Sequence, residues 1–335
     1  MRLRRSPAAV AAAVAALVVA LAGTLTGCGT GERAAADGGN ERFTLRIGVI
    51  GSGNRLTGPV GYLHDRNALV PLLAEAGVAD ITVHTFPNGP DLNQALVAGE
   101  LDLATYGDTP ALVARGAGQP TRLIAQAQVG MDAGIVAKKQ GGPRSLQELA
   151  GRRIATQTGS YMHRYLLGAL SDAKVTPKEI VHIYSSDVEA ALERGDVDAA
   201  AVPAANVEAL RAKGYPVIDS LAEDHPAYRG TSATVVTDAF LEARPGFVKV
   251  WQAAQVEATR RAKANWDDYL SFAVKVGGFP PEIVRRTTLA EQLPDTPFTE
   301  EGLTLLEGTK RFLVEQGFVR RDFAIDDWIA PGARG

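Results

Sequence analysis

The sequence contains little of the chemistry on which most metal sites and many enzymes depend. Its 335 residues include one cysteine, five histidines and three methionines. A single cysteine excludes an intramolecular disulfide and any cysteine-rich metal site. No HExxH or Walker A spacing occurs, so neither a zinc protease nor a nucleoside triphosphatase is indicated.

An excess of charge of one sign is missing as well. Lys and Arg number 35 against 38 Asp and Glu, and the sequence pI is near 6.0. Without a basic stripe, no nucleic-acid partner is predicted. The 46% of apolar and 22% of charged residues are typical of a globular protein, and the length corresponds to about two domains.

The first 27 residues predict a targeting segment. Three arginines among residues 2–5 precede an apolar run over residues 8–22. This run is shorter than the ~20 residues that span a bilayer, and it is typical of a signal-peptide h-region. Arg4-Arg5 resembles a twin-arginine signal only weakly, because the flanking residues do not match.

The only cysteine follows this run. Leu25-Thr26-Gly27-Cys28 resembles a bacterial lipobox, which implies cleavage before Cys28 and lipid on its sulfur; the alternative is a plain secretory signal. Residues 28–42 are rich in Gly, Ala and charge and predict a flexible tether. We therefore expect an extracytoplasmic protein anchored to the cell membrane, with no cofactor.

Strands alternating with helices predict an α/β fold with mostly parallel strands. Apolar residues alternate from Phe43 to Val49, and a helix is expected over residues 60–76. From Asp238 onward the pattern is almost entirely helical, and the tryptophans in this tail are predicted to pack in the interior or on the surface: Trp251, Trp266 and Trp328.

One segment recurs. Residues 96–104 (LVAGELDLA) resemble residues 192–200 (LERGDVDAA). Each predicts a helix that ends at glycine, a turn, and a strand that begins near Asp102 or Asp198, whose carboxylates would stabilise the turns. The repeat favours two lobes of similar construction; chance recurrence of a common turn is the alternative.

Four polar loops follow predicted strands, where ligands bind in open α/β sheets. They are residues 51–54, 107–110, 158–161 and 203–206. Thr109 and Ser160 are predicted N-caps, and the helix starts behind them suit anions. For each loop, a turn or a cap without ligand contact remains an alternative. The Gly51-x-Gly53 pair fails the dinucleotide fingerprint because residue 56 is Leu.

Several motifs resemble a known family. Residues 88–96 (NGPDLNQAL), 98–102 (AGELD) and 107–110 (GDTP) look like the aliphatic sulfonate, taurine and nitrate group of ABC-transporter substrate-binding proteins. Residues 149–155 (LAGRRIA), Gly159-Ser160 with His163, and residues 190–200 are similar to its second-lobe segments. The resemblance extends from Leu45 to about Trp328.

The resemblance implies a type II periplasmic-binding-protein fold of two mixed sheets flanked by helices, with the ligand cleft between two lobes. Residues 43–133 plus 234–335 would form lobe 1 and residues 134–233 lobe 2. The crossovers are expected near residues 131–137 and 231–236. The implied partners are a small anionic ligand and membrane permease subunits, bound by a monomer without covalent chemistry.

The same resemblance, taken with the loops, gives the candidate ligand-binding residues. They are Ser52, Gly53, Asn54, Gly107, Asp108, Thr109, Gly159, Ser160, Tyr161, His163, Asn206 and Thr231. One segment departs from the family: residues 202–206 (VPAAN) replace a Trp-Asp-Pro type segment. A carboxylate that would pair with the amino group of taurine is therefore missing there.

The leading hypothesis is a lipoprotein that delivers an aliphatic sulfonate-like anion to an importer. Nitrate, bicarbonate or a heterocyclic vitamin precursor are alternatives within the same fold. A sensor or scaffold, and an extracytoplasmic hydrolase, are further alternatives. The hydrolase has only Ser160 with His163 as a nearby nucleophile and base, and no Gly-x-Ser-x-Gly motif.

Overall fold

The computed structural model describes residues 42–334. The predicted signal peptide, Cys28 and the tether up to residue 41 lie outside the described residues. The strands are β1 (Phe43–Ile50), β2 (Val78–Phe86), β3 (Leu103–Gly107), β4 (Thr121–Ala125), β5 (Val129–Met131), β6 (Ala133–Ala137), β7 (Arg153–Thr156), β8 (Glu179–His182), β9 (Ala199–Pro203), β10 (Val217–Ser220) and β11 (Gly230–Thr237).

Helices occupy most of the remaining described chain. They are α1 (Gly58–Asp65), α2 (Leu69–Leu73), α3 (Gly89–Val97), α4 (Asp108–Gly116), α5 (Tyr161–Asp172), α6 (Val188–Arg194), α7 (Ala204–Ala212), α8 (Leu221–Asp224), α9 (Asp238–Ala243), α10 (Phe247–Ala264), α11 (Trp266–Gly277), α12 (Pro281–Thr287), α13 (Glu300–Glu315) and α14 (Ile325–Trp328). Within residues 42–334, no helix combines the length and the apolar character that a membrane crossing requires.

Two mixed sheets organise these elements, as expected. The first has the order β2-β1-β3-β11-β4, with β5 also paired to β11, and the second has the order β10-β6-β9-β7-β8. In the first sheet β11 runs antiparallel to all the other strands, which share one direction, and in the second sheet β6 does the same. The α/β two-lobe fold predicted from the sequence is confirmed.

The chain crosses between the sheets twice. Asp132 alone separates β5 from β6, which agrees with the predicted first crossover. The return runs through residues 221–229, before the predicted range, because β11 pairs with β5 and β3 from Gly230 onward. Thr231 therefore lies in the first sheet and not in the second lobe.

The repeated segment has the same structure in both sheets. Its two glycines adopt φ of 72° and 75°, in the left-handed region that glycine tolerates. Asp102 accepts the backbone N–H of Arg46 in β1 at 2.9 Å, and Asp198 accepts that of Arg153 in β7 at 3.1 Å. Each carboxylate joins the start of its own strand to the neighbouring strand, a longer-range contact than the predicted stabilisation of the turn.

The prediction of one continuous helix over residues 60–76 is wrong. Residues 60–76 form α1, α2 and a short 3-10 turn, with a break in which Asn67 adopts φ of 54°. The C-terminal helices pack on the first sheet, where Trp251 and Trp328 are almost fully buried. This helical layer forms one wall of the site.

Candidate ligand-binding site

A cavity of about 500 Å³ lies where the two sheets, the crossover strands and the C-terminal helices meet. Its polar lining residues include Thr57, Thr105, Gln128, Gln157, Thr158, Ser160, Ser232, Gln255, Thr259, Thr287, Thr288 and Gln292. Its apolar and aromatic lining residues include Ile47, Val49, Ile50, Leu56, Tyr106, Met131, Tyr161, Met162, Trp251, Tyr269, Phe272 and Leu293. Among the described residues, no Asp, Glu, Lys, Arg or His lines it.

The start of α5 is the part of this wall best suited to an anion. Gly159 turns the chain with φ of 80°, and the hydroxyl of Ser160 caps the helix by accepting the N–H of His163 at 3.3 Å. Tyr161 and Met162 occupy the first two helical positions, whose N–H groups have no acceptor within the helix. The first turn holds no acidic residue, so no carboxylate within this turn neutralises the positive end of the helix dipole.

The imidazoles of His163 and His182 accept hydrogen bonds from the loop that precedes α5. His182 Nδ1 accepts the N–H of Thr158 at 3.1 Å, and His163 Nδ1 accepts that of Gly159 at 3.3 Å. Burial, and then the neighbouring His182, lower the pKa of His163. The neutral imidazole is therefore favoured, as an accepting ring nitrogen requires. His163 supports the site without lining the cavity.

The start of α4 was predicted to hold the anion too, but its own carboxylate occupies it. Asp108 is fully buried, and its Oδ2 accepts the N–H of Thr231 at 2.9 Å and the hydroxyl of Thr309 at 3.2 Å. Its Oδ1 accepts the N–H and the hydroxyl of Thr109. Pro110 has no N–H to offer. The expected position of the helix start is wrong, because Gly107 and not Thr109 is the N-cap.

The first loop also differs from the prediction. Ser52, Gly53 and Asn54 are exposed and do not line the cavity. Asn54 instead accepts the hydroxyl of Thr85 at 3.0 Å, which holds the loop against β2. The wall is formed just downstream by residues 56–60, where α1 begins with no acidic residue in its first turn.

Of the remaining candidates, Tyr161 lines the cavity, whereas Asn206 and Thr231 form hydrogen bonds within the protein. Asn206 does not line the cavity, and its amide donates to the carbonyl of Ser185 at 3.3 Å. The hydroxyl of Thr231 accepts the amide of Gln126 at 3.1 Å in the interior. Tyr161 lines the cavity with its ring, while its hydroxyl donates to the carbonyl of Asp132 at the first crossover, 3.0 Å away. Four predicted residues thus line the cavity: Gly107, Gly159, Ser160 and Tyr161.

Helix α10 lines the cavity with three residues that were not among the predicted site residues. Trp251, Gln255 and Thr259 line the cavity although Trp251 was predicted only to pack. The three residues are spaced by four and therefore share one helix face. A Gln and a Thr on an otherwise apolar buried face were the available signal, since buried polar side chains need partners.

Side chains also join the two halves at the cavity rim. The amide of Gln157 donates to the carbonyl of Pro87 at 3.0 Å, and that of Asn88 donates to the hydroxyl of Tyr184 at 3.2 Å. Gln157 and Tyr184 belong to the half built on the second sheet, and Pro87 and Asn88 to the half built on the first. These two hydrogen bonds therefore connect the halves beside the cavity.

The described residues contain no cluster of three or more His, Cys, Asp or Glu side chains that suits a metal ion. The Ser160 hydroxyl donates to the carbonyl of Gln157 at 2.6 Å, and it contacts the backbone N–H of His163, not the imidazole. These two residues are therefore not arranged as a nucleophile and its base.

This architecture, two mixed sheets joined by two crossovers around a shared cavity, is a periplasmic-binding-protein fold. The chain belongs to the NMT1/THI5-like family, whose model matches residues 73–268. The family resemblance inferred from the sequence is confirmed at this level.

One characterised relative and one solved structure are similar to this chain. The taurine-binding periplasmic protein of Escherichia coli K12 is 29% identical over 260 residues, which cover 73% of this chain and 81% of that protein. The alkanesulfonate-binding protein SsuA from Xanthomonas axonopodis pv. citri, solved with MOPS, superposes with a TM-score of 0.72 at 22% identity, over 87% of this chain and 99% of SsuA.

The fold is not confined to binding proteins. The desulfurization enzyme DSZB superposes with a TM-score of 0.67 at 21% identity, covering 87% of this chain and 97% of the enzyme. The fold alone therefore leaves binding and catalysis both possible, and the residues of the site must decide between them.

Proposed function

We propose that this protein is the solute-binding component of an ABC importer and that it captures an organic sulfonate in the cavity between its two halves. The observation that carries the proposal is the acid-free start of α5 at the wall of a largely apolar, uncharged cavity. Free backbone N–H groups suit the sulfonate oxygens, and the apolar wall suits an organic body.

The size and charge of the cavity favour this ligand class over the alternatives. The cavity of about 500 Å³ lies within the ~300–1,000 Å³ range of sites that hold organic ligands. Nitrate or bicarbonate fills a small part of that space and leaves the apolar walls wet. The ammonium group of taurine meets no carboxylate on the described wall, so a sulfonate without a cation fits better.

Binding rather than catalysis follows from the polar groups at the cavity. The Ser160 hydroxyl is bonded to its own loop, and no Asp, Glu, Lys, Arg or His of the described residues lines the wall. A cleft that closes over its ligand and presents the closed form to permease subunits needs none of these groups. We therefore propose a protein without cofactor or covalent chemistry.

The sequence outside the described residues completes the proposal. A signal peptide over residues 1–27, lipid on Cys28 and a tether over residues 28–42 place a monomer at the extracytoplasmic face of the cell membrane, close to its permease. The two sheets with their helices are the proposed lobes, and the crossovers at Asp132 and residues 221–229 are the proposed hinges.

A thermal-shift panel on the chain from Gly29 onward tests the ligand class. It compares alkanesulfonates, aryl sulfonates, taurine, nitrate, bicarbonate, sulfate and pyrimidine precursors. A ligand at about 100 times its Kd stabilises the fold by about 2.7 kcal/mol, which gives a clear shift. We expect shifts with uncharged-tail sulfonates and not with nitrate or bicarbonate. A shift with another class alone contradicts the sulfonate assignment, and no shift with any of them contradicts the binding role.

A further inference from the structure

We propose that Ser232, on β11, is a specificity-determining residue of this cavity. Its hydroxyl donates a hydrogen bond to an oxygen of the bound anion, beside the start of α5, and thereby favours a sulfonate over a carboxylate. The inference rests on the proposed function, because it assumes that an anionic ligand occupies this part of the cavity.

The evidence is a hydroxyl proton without an acceptor. Ser232 Oγ accepts the backbone N–H of Ala127 at 2.7 Å and that of Gln128 at 2.9 Å. A serine oxygen has two lone pairs, so these two bonds leave only its proton available. Among the described residues, no group accepts that proton. The Ser232 hydroxyl can therefore only donate, and its partner must be an acceptor.

The alternation of β11 places this hydroxyl at the cavity wall. Successive side chains of a strand point to opposite faces. Thr231 is fully buried in the interior, where its hydroxyl accepts the amide of Gln126. Ser232, the next residue, lines the cavity and is 7% exposed. A donor that is more than nine-tenths buried, unpaired and at a cavity wall points to a ligand.

The start of α5 lies against the same face of β11. Gly230 precedes Ser232 by two residues, which places it on the same face and about 7 Å away along the strand. Gly230 packs closely against Tyr161, since a Cβ atom at position 230 would lie 3.1 Å from the Cβ of Tyr161. Tyr161 is the first residue of α5, and its N–H is free. An anion that accepts hydrogen bonds of about 3 Å on opposite sides bridges a gap of this order.

The number of donors matches a sulfonate. The start of α5 supplies the N–H groups of Tyr161 and Met162, and Ser232 supplies a third donor from β11. A sulfonate has three oxygens that point in three directions, whereas a carboxylate has two in one plane. When two oxygens accept from α5, only the sulfonate retains an oxygen for Ser232. A carboxylate leaves the Ser232 proton unpaired and is disfavoured for that reason.

Other hydroxyls of the cavity wall already have partners for their protons or oxygens. The Ser160 hydroxyl donates to the carbonyl of Gln157 at 2.6 Å, and the hydroxyl of Thr105 pairs with that of Thr234 at 3.1 Å. Thr237, at the far end of β11, does not line the cavity, and its hydroxyl accepts the N–H of Phe240. It provides a matched control on the same strand.

The test is calorimetric titration with alkanesulfonates and alkanecarboxylates of equal chain length, the weaker ligands being measured by competition. Ser232→Ala loses a hydrogen bond to a charged group, so sulfonate affinity should fall about 10- to 100-fold, whereas carboxylate affinity should fall by less than about threefold. Ser232→Thr keeps the hydroxyl and should keep the preference for sulfonates. Thr237→Ala should bind both ligand classes as the wild type does.

The outcomes separate this inference from the proposed function. If no sulfonate binds to the wild type, both fail. If sulfonates bind but Ser232→Ala keeps its sulfonate affinity, or loses affinity for both classes by the same factor, only the role of Ser232 is overturned. In a crystal structure of the complex, we expect Ser232 Oγ about 3 Å from a sulfonate oxygen. A water molecule that accepts the Ser232 proton in place of the ligand would overturn the inference.

Discussion

The starts of α4 and α5 look alike in the sequence and differ in the structure. Both follow a strand and a glycine, and both carry a hydroxyl residue near the first helical turn. At α4, the carboxylate of Asp108 accepts the hydrogen bonds that an anionic ligand would otherwise receive. At α5, the first turn carries no acid, and the imidazoles of His163 and His182 accept the N–H groups of the preceding loop.

One side chain thus distinguishes a structural junction at α4 from the proposed anion site at α5. Asp108 joins α4 to β11 and α13 through Thr231 and Thr309, so it stabilises the first sheet beside the return crossover. α5 has no such group, and its positive end remains available to a ligand. A helix start can bind an anionic ligand only where no carboxylate of the protein already accepts its free N–H groups.

The largest expected effect comes from making α5 resemble α4. Asp and Ser are similar N-caps, so Ser160→Asp should change the free energy of unfolding by less than about 1 kcal/mol. Its charge, about 4 Å from a bound sulfonate, should oppose binding by up to about 4 kcal/mol, a loss of about 100- to 1000-fold in affinity by calorimetry.

Thr237→Asp is the control for this change. Thr237 caps α9 by accepting the N–H of Phe240 at 3.3 Å and does not line the cavity. Its variant should bind sulfonates as the wild type does. Equal affinities for Ser160→Asp and Thr237→Asp would show that the anion lies elsewhere.

Removing the charge from α4 should affect stability instead. Asp108→Asn replaces one buried carboxylate oxygen by an amide group that cannot accept, so a bond from Thr231 or Thr109 is lost. Because hydrogen bonds to charged groups contribute about 1.5–3 kcal/mol each, we expect the free energy of unfolding in urea to fall by about 3 kcal/mol.

Asp91→Asn is the matched control, since Asp91 is an exposed carboxylate in the first turn of α3. It should cost less than about 1 kcal/mol. The folded Asp108→Asn protein should keep its sulfonate affinity within a few fold. Normal stability together with a large loss of affinity would reverse the roles assigned to the two helices.

The imidazole behind α5 predicts a pH dependence. The pKa of His163 is lowered in the folded state from its ordinary value of 6.5. Below pH 6.5 the unfolded chain therefore binds more protons, and stability falls as the pH decreases, by at most about 1.4 kcal/mol for each pH unit. Above that pH, this contribution is fully present and constant.

His163→Gln keeps a side-chain acceptor for Gly159 but cannot titrate. Urea denaturation of both proteins between pH 8 and pH 5, at about one-unit steps, isolates the contribution of His163 titration to the free energy of unfolding. The stability difference should be flat above about pH 7 and should move in favour of the variant at lower pH. A difference that is independent of pH over the whole range would contradict a lowered pKa.

The smallest expected effect is that of Ser160→Ala. The lost cap should cost about 1 kcal/mol of stability. The Ser160 hydroxyl proton is already donated to Gln157, so affinity for a sulfonate should change by less than about threefold. A much larger loss would mean that the hydroxyl, and not the helix backbone, holds the anion.

Local signals in the sequence were sufficient for much of the fold. The alternation in β1, the repeated glycine turns and the cap at Ser160 depend on residues close to one another in the chain. These predictions were confirmed because neighbouring residues decide such structures.

The rest depended on distant pairing. Asp108 is 123 residues from Thr231 and 201 from Thr309, so its structural role could not be inferred from its own loop. For the same reason, the contribution of Trp251 and Gln255 to the cavity was missed. Their helix meets α1 and β4 only in the folded protein.

The central claim is that the backbone at the start of α5 holds the anionic head of the ligand. A crystal structure with a bound alkanesulfonate tests it most directly. We predict sulfonate oxygens about 3 Å from the N–H groups of Tyr161 and Met162, with Asp108 still bonded to Thr231. A sulfonate bound at the start of α4, with Asp108 displaced from Thr231, would contradict the account.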